Sequence, residues 1–330
     1  MGASIYKNKK PAIIFLIPAF LFMIVYLYYP FLQNIWNSFQ NIRQLGSSGE
    51  GFLDPWYSNY VEMFHDEVMW ISLKNTLIMM LVTLVGQVGI AIVLALMVDN
   101  ITHGKHFYKT VYFFPIVISA TALGLLFNLI FLYDKGMLNQ ILEKLGKVGL
   151  TDWKGEGLAL FTMMLPVMWQ YVGFYFVILI TGLNNISDEL YEAARIDGAS
   201  TFQKVRYISI PLLHNVICTC SVLAVTGALK VFDLPWTMFP KGMPLKSTFL
   251  TGTYMYYHTM ETKNVDYGSA LAAAQRSEAS ATQMREQGDN NVDDANVKAW
   301  GYTQTEKSLV QQAQNLMIQY WNAQENLKSV

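Results

Sequence analysis

The sequence predicts an all-α integral membrane protein, a polytopic bundle of helices, and three observations carry that prediction. Hydrophobic residues make up 53% of the 330 residues and charged residues only 14%, where ordinary soluble domains carry about 25% charge. Five apolar runs, 12–33, 76–98, 111–132, 158–181 and 216–232, stand out. A helix needs about 20 apolar residues, in a range of about 17–25, to cross a bilayer core. The first four runs satisfy this and the fifth sits at its lower edge. Tyr26, Tyr28, Tyr29, Trp36, Tyr108 and Tyr112 gather at the edges of runs, as interface-seeking rings do.

Taken in order, the first run, "AIIFLIPAFLFMIVYLYYPFLQ", follows "YKNKK". Its apolar core exceeds the roughly 7–15 residues of a signal peptide and no small-x-small cleavage site follows, so it reads as a retained anchor. The second run holds Gln87 between Gly86 and Gly89, a pattern suited to close helix packing. Orientation is not decided by counting. With the amino terminus inside, eight Lys and Arg residues fall on each side. The basic flank of the first span usually dominates, which puts the amino terminus in the cytoplasm. The net charge of −1 gives no reason to expect nucleic acid. Cys218 and Cys220, two apart on a helix, point in different directions and make no disulfide or zinc pattern.

Between the fourth and fifth runs lies a polar stretch, 187–213, containing "YEAARIDGASTFQKVRYISIPLL". Ser187, Asp188 and Glu189 suit the positive end of a helix. Gly198 falls where a left-handed cap is wanted. Ser200 and Gln203 have capping-box spacing, and Pro211 should stop the second helix near Ser209 or Ile210. Three readings compete: a DNA-binding helix-turn-helix, a linker that merely joins two spans, and a docking element. Its place between spans and its lack of a basic face disfavour the first.

These residues also carry a resemblance. Glu192, Ala193, Ala194, Gly198, Ile208 and Pro211 match the EAA loop of bacterial ABC importer permeases in type and spacing, with Ile210 in place of a leucine. Roughly residues 10–272 resemble the carbohydrate branch of that family, of the maltose and multiple-sugar type. "WQYVGFYFVILITGLNNISDELYEAARIDGA" and "VFDLPWTMFPKGMPLKSTFLTGTYMY" carry the likeness. The resemblance implies a type I importer fold and a multi-pass subunit of the bacterial cytoplasmic membrane. It implies a second permease subunit, two cytoplasmic ATPase subunits, an extracytoplasmic sugar-binding protein and a sugar substrate. The EAA hairpin would couple to the ATPase, with Glu192, Ala193, Ala194, Arg195, Asp197, Gly198, Ile208 and Pro211 as its contact residues.

The chain itself shows no nucleotide site. Its nearest candidate, "ILEKLGKV" at 141–148, lacks the first glycine of a P-loop and ends in Val148. The five histidines have no metal spacing. The expectation is therefore no enzyme activity and no cofactor in this chain, with ATP and magnesium held by the partner ATPase. Aromatic and polar groups at membrane depth are the substrate-path candidates: Asn128, Trp169, Gln170, Tyr171, Tyr175 and Asp233, with Lys230 beside them. The alternative for these rings is plain packing, and for Lys230 and Asp233 a mutual pair.

Residues 1–273 thus read as the permease domain. Where the family continues into a sixth span, residues 274–330 are polar and Gln/Asn-rich, with seven acids and five bases. Leu309, Val310, Ala313, Leu316, Met317 and Tyr320 give the second half one apolar helical face. The departure keeps a second reading open, a non-transporting anchor or defective permease variant that binds a partner through the same hairpin.

Overall fold

The structure is a computed structural model that describes residues 10–44, 46–47, 49–101 and 104–275. The expectations for 276–330, including the amphipathic face, lie outside the described residues. Among those described there is no strand, only an isolated bridge between Gln40 and Phe52.

Helix α1 (Ile13–Asn37) carries a π turn at Ile24–Tyr28. Helix α2 (Ser58–His65) is short and precedes α3 (Glu67–Asp99), which contains a second π turn at Thr83–Val88. Helices α4 (Lys105–Val117) and α5 (Ala120–Ile130) follow, then the short α6 (Met137–Lys144) and the long α7 (Ala159–Asn184). A hairpin of α8 (Asp188–Ile196) and α9 (Thr201–Lys204) leads to α10 (His214–Lys230), α11 (Asp233–Met238) and α12 (Thr251–Tyr256). A further helix is described from 265 to 275. Four helical stretches among the described residues are long and apolar enough to cross a membrane, and α4 with α5 supplies a fifth if counted as one span.

That pair differs from the expected single helix over 111–132, since α4 and α5 are bent by 93°. Pro115 removes one backbone donor, and Ile118 and Ser119 are extended. At membrane depth the exposed carbonyls need partners. Gln170 on α7 donates from Nε2 to the Ile118 carbonyl at 3.1 Å.

The described residues fall into two compact units. One comprises the described residues up to Ile71 together with those from Thr251 onward; the other runs from Ser72 to Leu250. In the first unit, the Ile42 carbonyl accepts from Val265 and Asp266 nitrogens at 3.1 and 3.3 Å. Asp66 accepts from the hydroxyls of Tyr254 and Tyr267, the latter at 2.7 Å. The outward residues of α1 are strongly exposed, Phe15 at 84%. A soluble monomer rarely presents so continuous an apolar surface, so lipid or another subunit covers it.

In the second unit, Val88, Ala91, Ala95 and Val98 of α3 pack with Tyr175, Phe176, Leu179, Ile180 and Leu183 of α7 and with Cys220 and Ala224 of α10. Lipid tails are as apolar as these side chains, so close packing rather than water exclusion favours such contacts. Small residues let backbones approach. A Cβ on Gly173 would lie 1.7 Å from the Tyr112 carbonyl oxygen, so only glycine fits where α4 crosses α7. Gln87 donates to the Val167 carbonyl at 2.9 Å and is 2% exposed, a packing role as its glycine flanks predict.

Candidate functional site

The hairpin 187–213 is built by local caps. Ser187 Oγ accepts from the Glu189 nitrogen at 3.3 Å, closing the first turn of α8, whose acids Asp188 and Glu189 face the positive end of its dipole. At the other end Gly198 is left-handed, with φ +75°. The Ala199 nitrogen donates to the Ala194 carbonyl at 2.8 Å and the Gly198 nitrogen to the Arg195 carbonyl at 3.1 Å. That pair of bonds is a Schellman cap. Ser200 and Gln203 then form both bonds of a capping box, at 2.7 and 3.3 Å, and open α9.

Pro211 does not stop the second helix where expected. From α9 the chain passes through a π turn, Val205–Ser209, into Ile210–Leu212, so helical structure continues to Leu212. Widening to the π spacing absorbs the donor that proline lacks. The two arms are joined by Tyr191 Oη and Ser209 Oγ, 2.9 Å apart, with Ser209 buried. Burial, reinforced by Asp99 and Asp188 and opposed by the Ser209 bond, pushes the Tyr191 hydroxyl above its usual pKa.

Seen from outside, the hairpin offers Glu192, Ala193, Arg195, Asp197, Gly198 and Pro211, all exposed, with Ala194 and Ile208 half-buried. It also offers three large apolar side chains that the motif does not include: Ile196 at 86% exposed, Phe202 at 72% and Tyr207 at 70%. The sequence signal for them was present, large apolar residues inside an otherwise polar stretch. The hairpin is short, capped at both helix starts, and exposes large apolar side chains at its tip. It has no cofactor-like arrangement, and no group of metal-ligating side chains occurs among the described residues.

The substrate-path candidates do not converge. On α7, Gln170 and Tyr175 lie in the packed interior, each 4% exposed. Trp169 and Tyr171 remain accessible but, two residues apart on a helix, project to opposite sides. Trp169 sits edge-on to Phe127 of α5, ring centres 5.8 Å apart. Asn128 on α5 donates to the Thr237 carbonyl at 3.2 Å and accepts from Lys154, which sequence reasoning passed over. The Lys154 ammonium also reaches the Met238 carbonyl at 3.4 Å and stands 5.5 Å from the Phe239 ring centre. Burial lowers its pKa. Asp233 and Lys230 are both exposed and form no ion pair; Lys105 and Asp99 do, at 3.5 Å.

Among the described residues the chain is a helical bundle with several stretches long and apolar enough to cross a membrane and a capped, exposed hairpin, an architecture suited to a multi-pass membrane component. Residues 87–274 match the family described as binding-protein-dependent transport system inner membrane component, and the chain belongs to that family. It is therefore a multi-pass inner-membrane transport component and not an enzyme. It is 33% identical over 270 residues to YurN, a probable ABC transporter permease protein of Bacillus subtilis, covering 81% of this chain and 91% of that one. SmoG of Agrobacterium fabrum, a sulfoquinovosyl glycerol transport system permease protein, is 28% identical over 265 residues, with 80% and 85% covered. In fold, the chain resembles the crystal structure of a bacterial ABC transporter that imports the acidic polysaccharide alginate, with TM-score 0.72, 19% identity and coverage of 83% and 92%. A bacterial alginate ABC transporter in complex with alginate pentasaccharide-bound periplasmic protein gives TM-score 0.73 at 20% identity, with 83% and 91% covered.

Proposed function

We propose that this chain forms half of the translocation path of an ATP-driven carbohydrate importer and receives the ATPase stroke through residues 187–213. The observation that carries the reading is the hairpin itself, capped at both helix starts and the glycine turn, and exposing apolar residues at its tip. The matched relatives are permeases, several of them named for sugars or oligosaccharides. In this reading the amino terminus and the hairpin face the cytoplasm. Glu192, Arg195 and Asp197 make the charged contacts with the ATPase, Ala193 and Ala194 allow close approach, Gly198 sets the turn, and Ile208 and Pro211 set the return arm. ATP and magnesium belong to two ATPase subunits. A second permease subunit completes the path, and an extracytoplasmic sugar-binding protein delivers the substrate.

Asn128, near the end of α5 and bonded to Thr237 of α11, and Trp169 on α7, whose ring meets Phe127 of α5, are the path residues this reading favours; Gln170 and Tyr175 act by packing. Reconstitution of the complete assembly in proteoliposomes tests it. Loaded binding protein should stimulate ATP hydrolysis with the parent chain and fail to do so with Glu192→Lys, while membrane insertion is unchanged. Normal stimulation in Glu192→Lys and also in Gly198→Asp would remove the hairpin from the coupling route.

A further inference from the structure

An aromatic cluster in the first unit follows directly from the end of α1. Trp36 lies in the last turn of that helix, and its ring meets Phe52 edge-on, centres 5.3 Å apart. The Gln40–Phe52 bridge brings the chain back to this point. Phe39 lies between Trp56 at 5.4 Å and Tyr60 at 5.5 Å, and Trp56 packs edge-on against Tyr57 at 5.5 Å. Phe39 is half-buried, yet the outer rings are not: Trp36 is 55% exposed, Phe52 59%, Trp56 58% and Tyr57 46%. Four large rings thus stand as two edge-on pairs, Trp36 with Phe52 and Trp56 with Tyr57, and each remains about half exposed.

Depth decides what covers them. The apolar run 12–33 rises about 33 Å at about 1.5 Å per residue, which fills a hydrocarbon core about 30 Å thick. Trp36, three residues further on, then stands about 4–5 Å beyond the core boundary, among the lipid carbonyls and headgroups. Phe52 is in contact with Trp36 and shares that depth. Rings with an apolar body and, in Trp and Tyr, one polar edge are favoured in that layer. We propose that Trp36, Phe52, Trp56 and Tyr57 form an interfacial anchor that rests the 52–57 turn on the phospholipid headgroup layer. The turn is then a second point of membrane attachment, which fixes the rotation of α1 about its own axis. A binding protein, a sugar or another transport subunit could instead cover a ring cluster of this kind, and each is distinguishable from lipid.

The test uses nitroxide labels on single cysteines in full-length chain, assembled in nanodiscs of phosphatidylcholine and phosphatidylglycerol, after Cys218→Ser and Cys220→Ala. Labels go at Phe52→Cys, Trp56→Cys and Tyr57→Cys, three separate sites so that loss of one variant does not end the test. Phe15→Cys, 84% exposed on α1, is the lipid reference, and Val148→Cys, 99% exposed in the 146–150 turn, the solvent reference. Collision with oxygen relative to a water-soluble nickel chelate should be several-fold higher at 52 and 56 than at 148, with a depth at the headgroups. A ratio equal to that at Val148 overturns the proposal, as does low access to both reagents, which means a protein cover. Chelate access that is lost only when loaded binding protein or sugar is added assigns the rings to that partner and also overturns it.

Discussion

Asp66 is a carboxylate held by two phenols, and its ionisation is worked into the fold of the first unit. Burial raises its pKa, but hydrogen bonds from Tyr254, Tyr267, Val68 and Met69 outweigh burial and leave it below the ordinary value. A depressed folded pKa stabilises at pH above the unfolded value, about 3.9, and that stabilisation is lost as pH falls through the folded value. Protection factors of the amides in 251–261, taken relative to the intrinsic exchange rate at each pH, should therefore be level from about pH 8 to about pH 5 and fall only in stronger acid, whereas Asp66→Ala should lower them throughout. Protection that melted away near neutrality would contradict the assignment. Asn139 is a second such point. Its Nδ2 donates to the Tyr133 and Thr151 carbonyls, both at 2.9 Å, and its Oδ1 accepts from Thr151 N and Trp153 Nε1 at 3.2 and 3.0 Å. Each buried group stranded by Asn139→Ala costs about 1–3 kcal/mol. A lower unfolding temperature in detergent, with faster proteolysis in 146–155, is expected; an unchanged melt would show that the loop does not depend on this residue. Neither point was legible in the sequence. Asp66 and Asn139 stand in polar stretches without a motif, and their partners are as far as 201 positions away.

Elements were far more legible, because helix caps and apolar runs are local. Gly198, Ser200 and Gln203 do in the structure what their spacing predicts. The limits of local reading are equally specific. Pro211 suggested a stop, but the remedy, a π turn five residues long, leaves no sequence signature of its own. The bend between α4 and α5 had a signal in Pro115, yet its stability depends on Gln170 from another helix, a residue whose polarity suggested substrate instead. Gln170→Leu should accordingly lower the stability of the whole bundle more than it alters sugar affinity; a pure change in affinity, measured in proteoliposomes, would return Gln170 to the substrate path. Helix crossings give a paired prediction. Gly173→Ala drives a methyl group into the Tyr112 carbonyl and should cost about 1–3 kcal/mol as overpacking does. Gly89→Ala meets nothing within 4 Å and should be neutral or gain up to about 1 kcal/mol in helix propensity. Equal melts for the two variants would show that the α4–α7 contact tolerates separation.

At the scale of the molecule, composition and the five apolar runs were enough to specify a membrane bundle, since lipid leaves the backbone few other options. Composition could not show that the described chain divides at Ile71 and again at Thr251, because a unit that joins residues from both ends is made by long-range bonds such as Asn34 Nδ2 to the Ser269 carbonyl, 3.3 Å. Nor could it assemble the substrate path, half of which belongs to a second subunit in our reading. What was legible is the hairpin, where in our reading the ATPase stroke enters, because its caps all lie within its own stretch of sequence. The most direct test is site-specific crosslinking from that place. Ile196→Cys and Phe202→Cys, both strongly exposed at the hairpin tip, carry a short photoactivated crosslinker in membranes containing the complete transporter. The account predicts crosslinks to the ATPase subunit from both positions, lost when Glu192→Lys is added, and none from Phe15→Cys on α1. No ATPase adduct from either tip position, in membranes where the assembled complex still hydrolyses ATP in response to substrate, would contradict it.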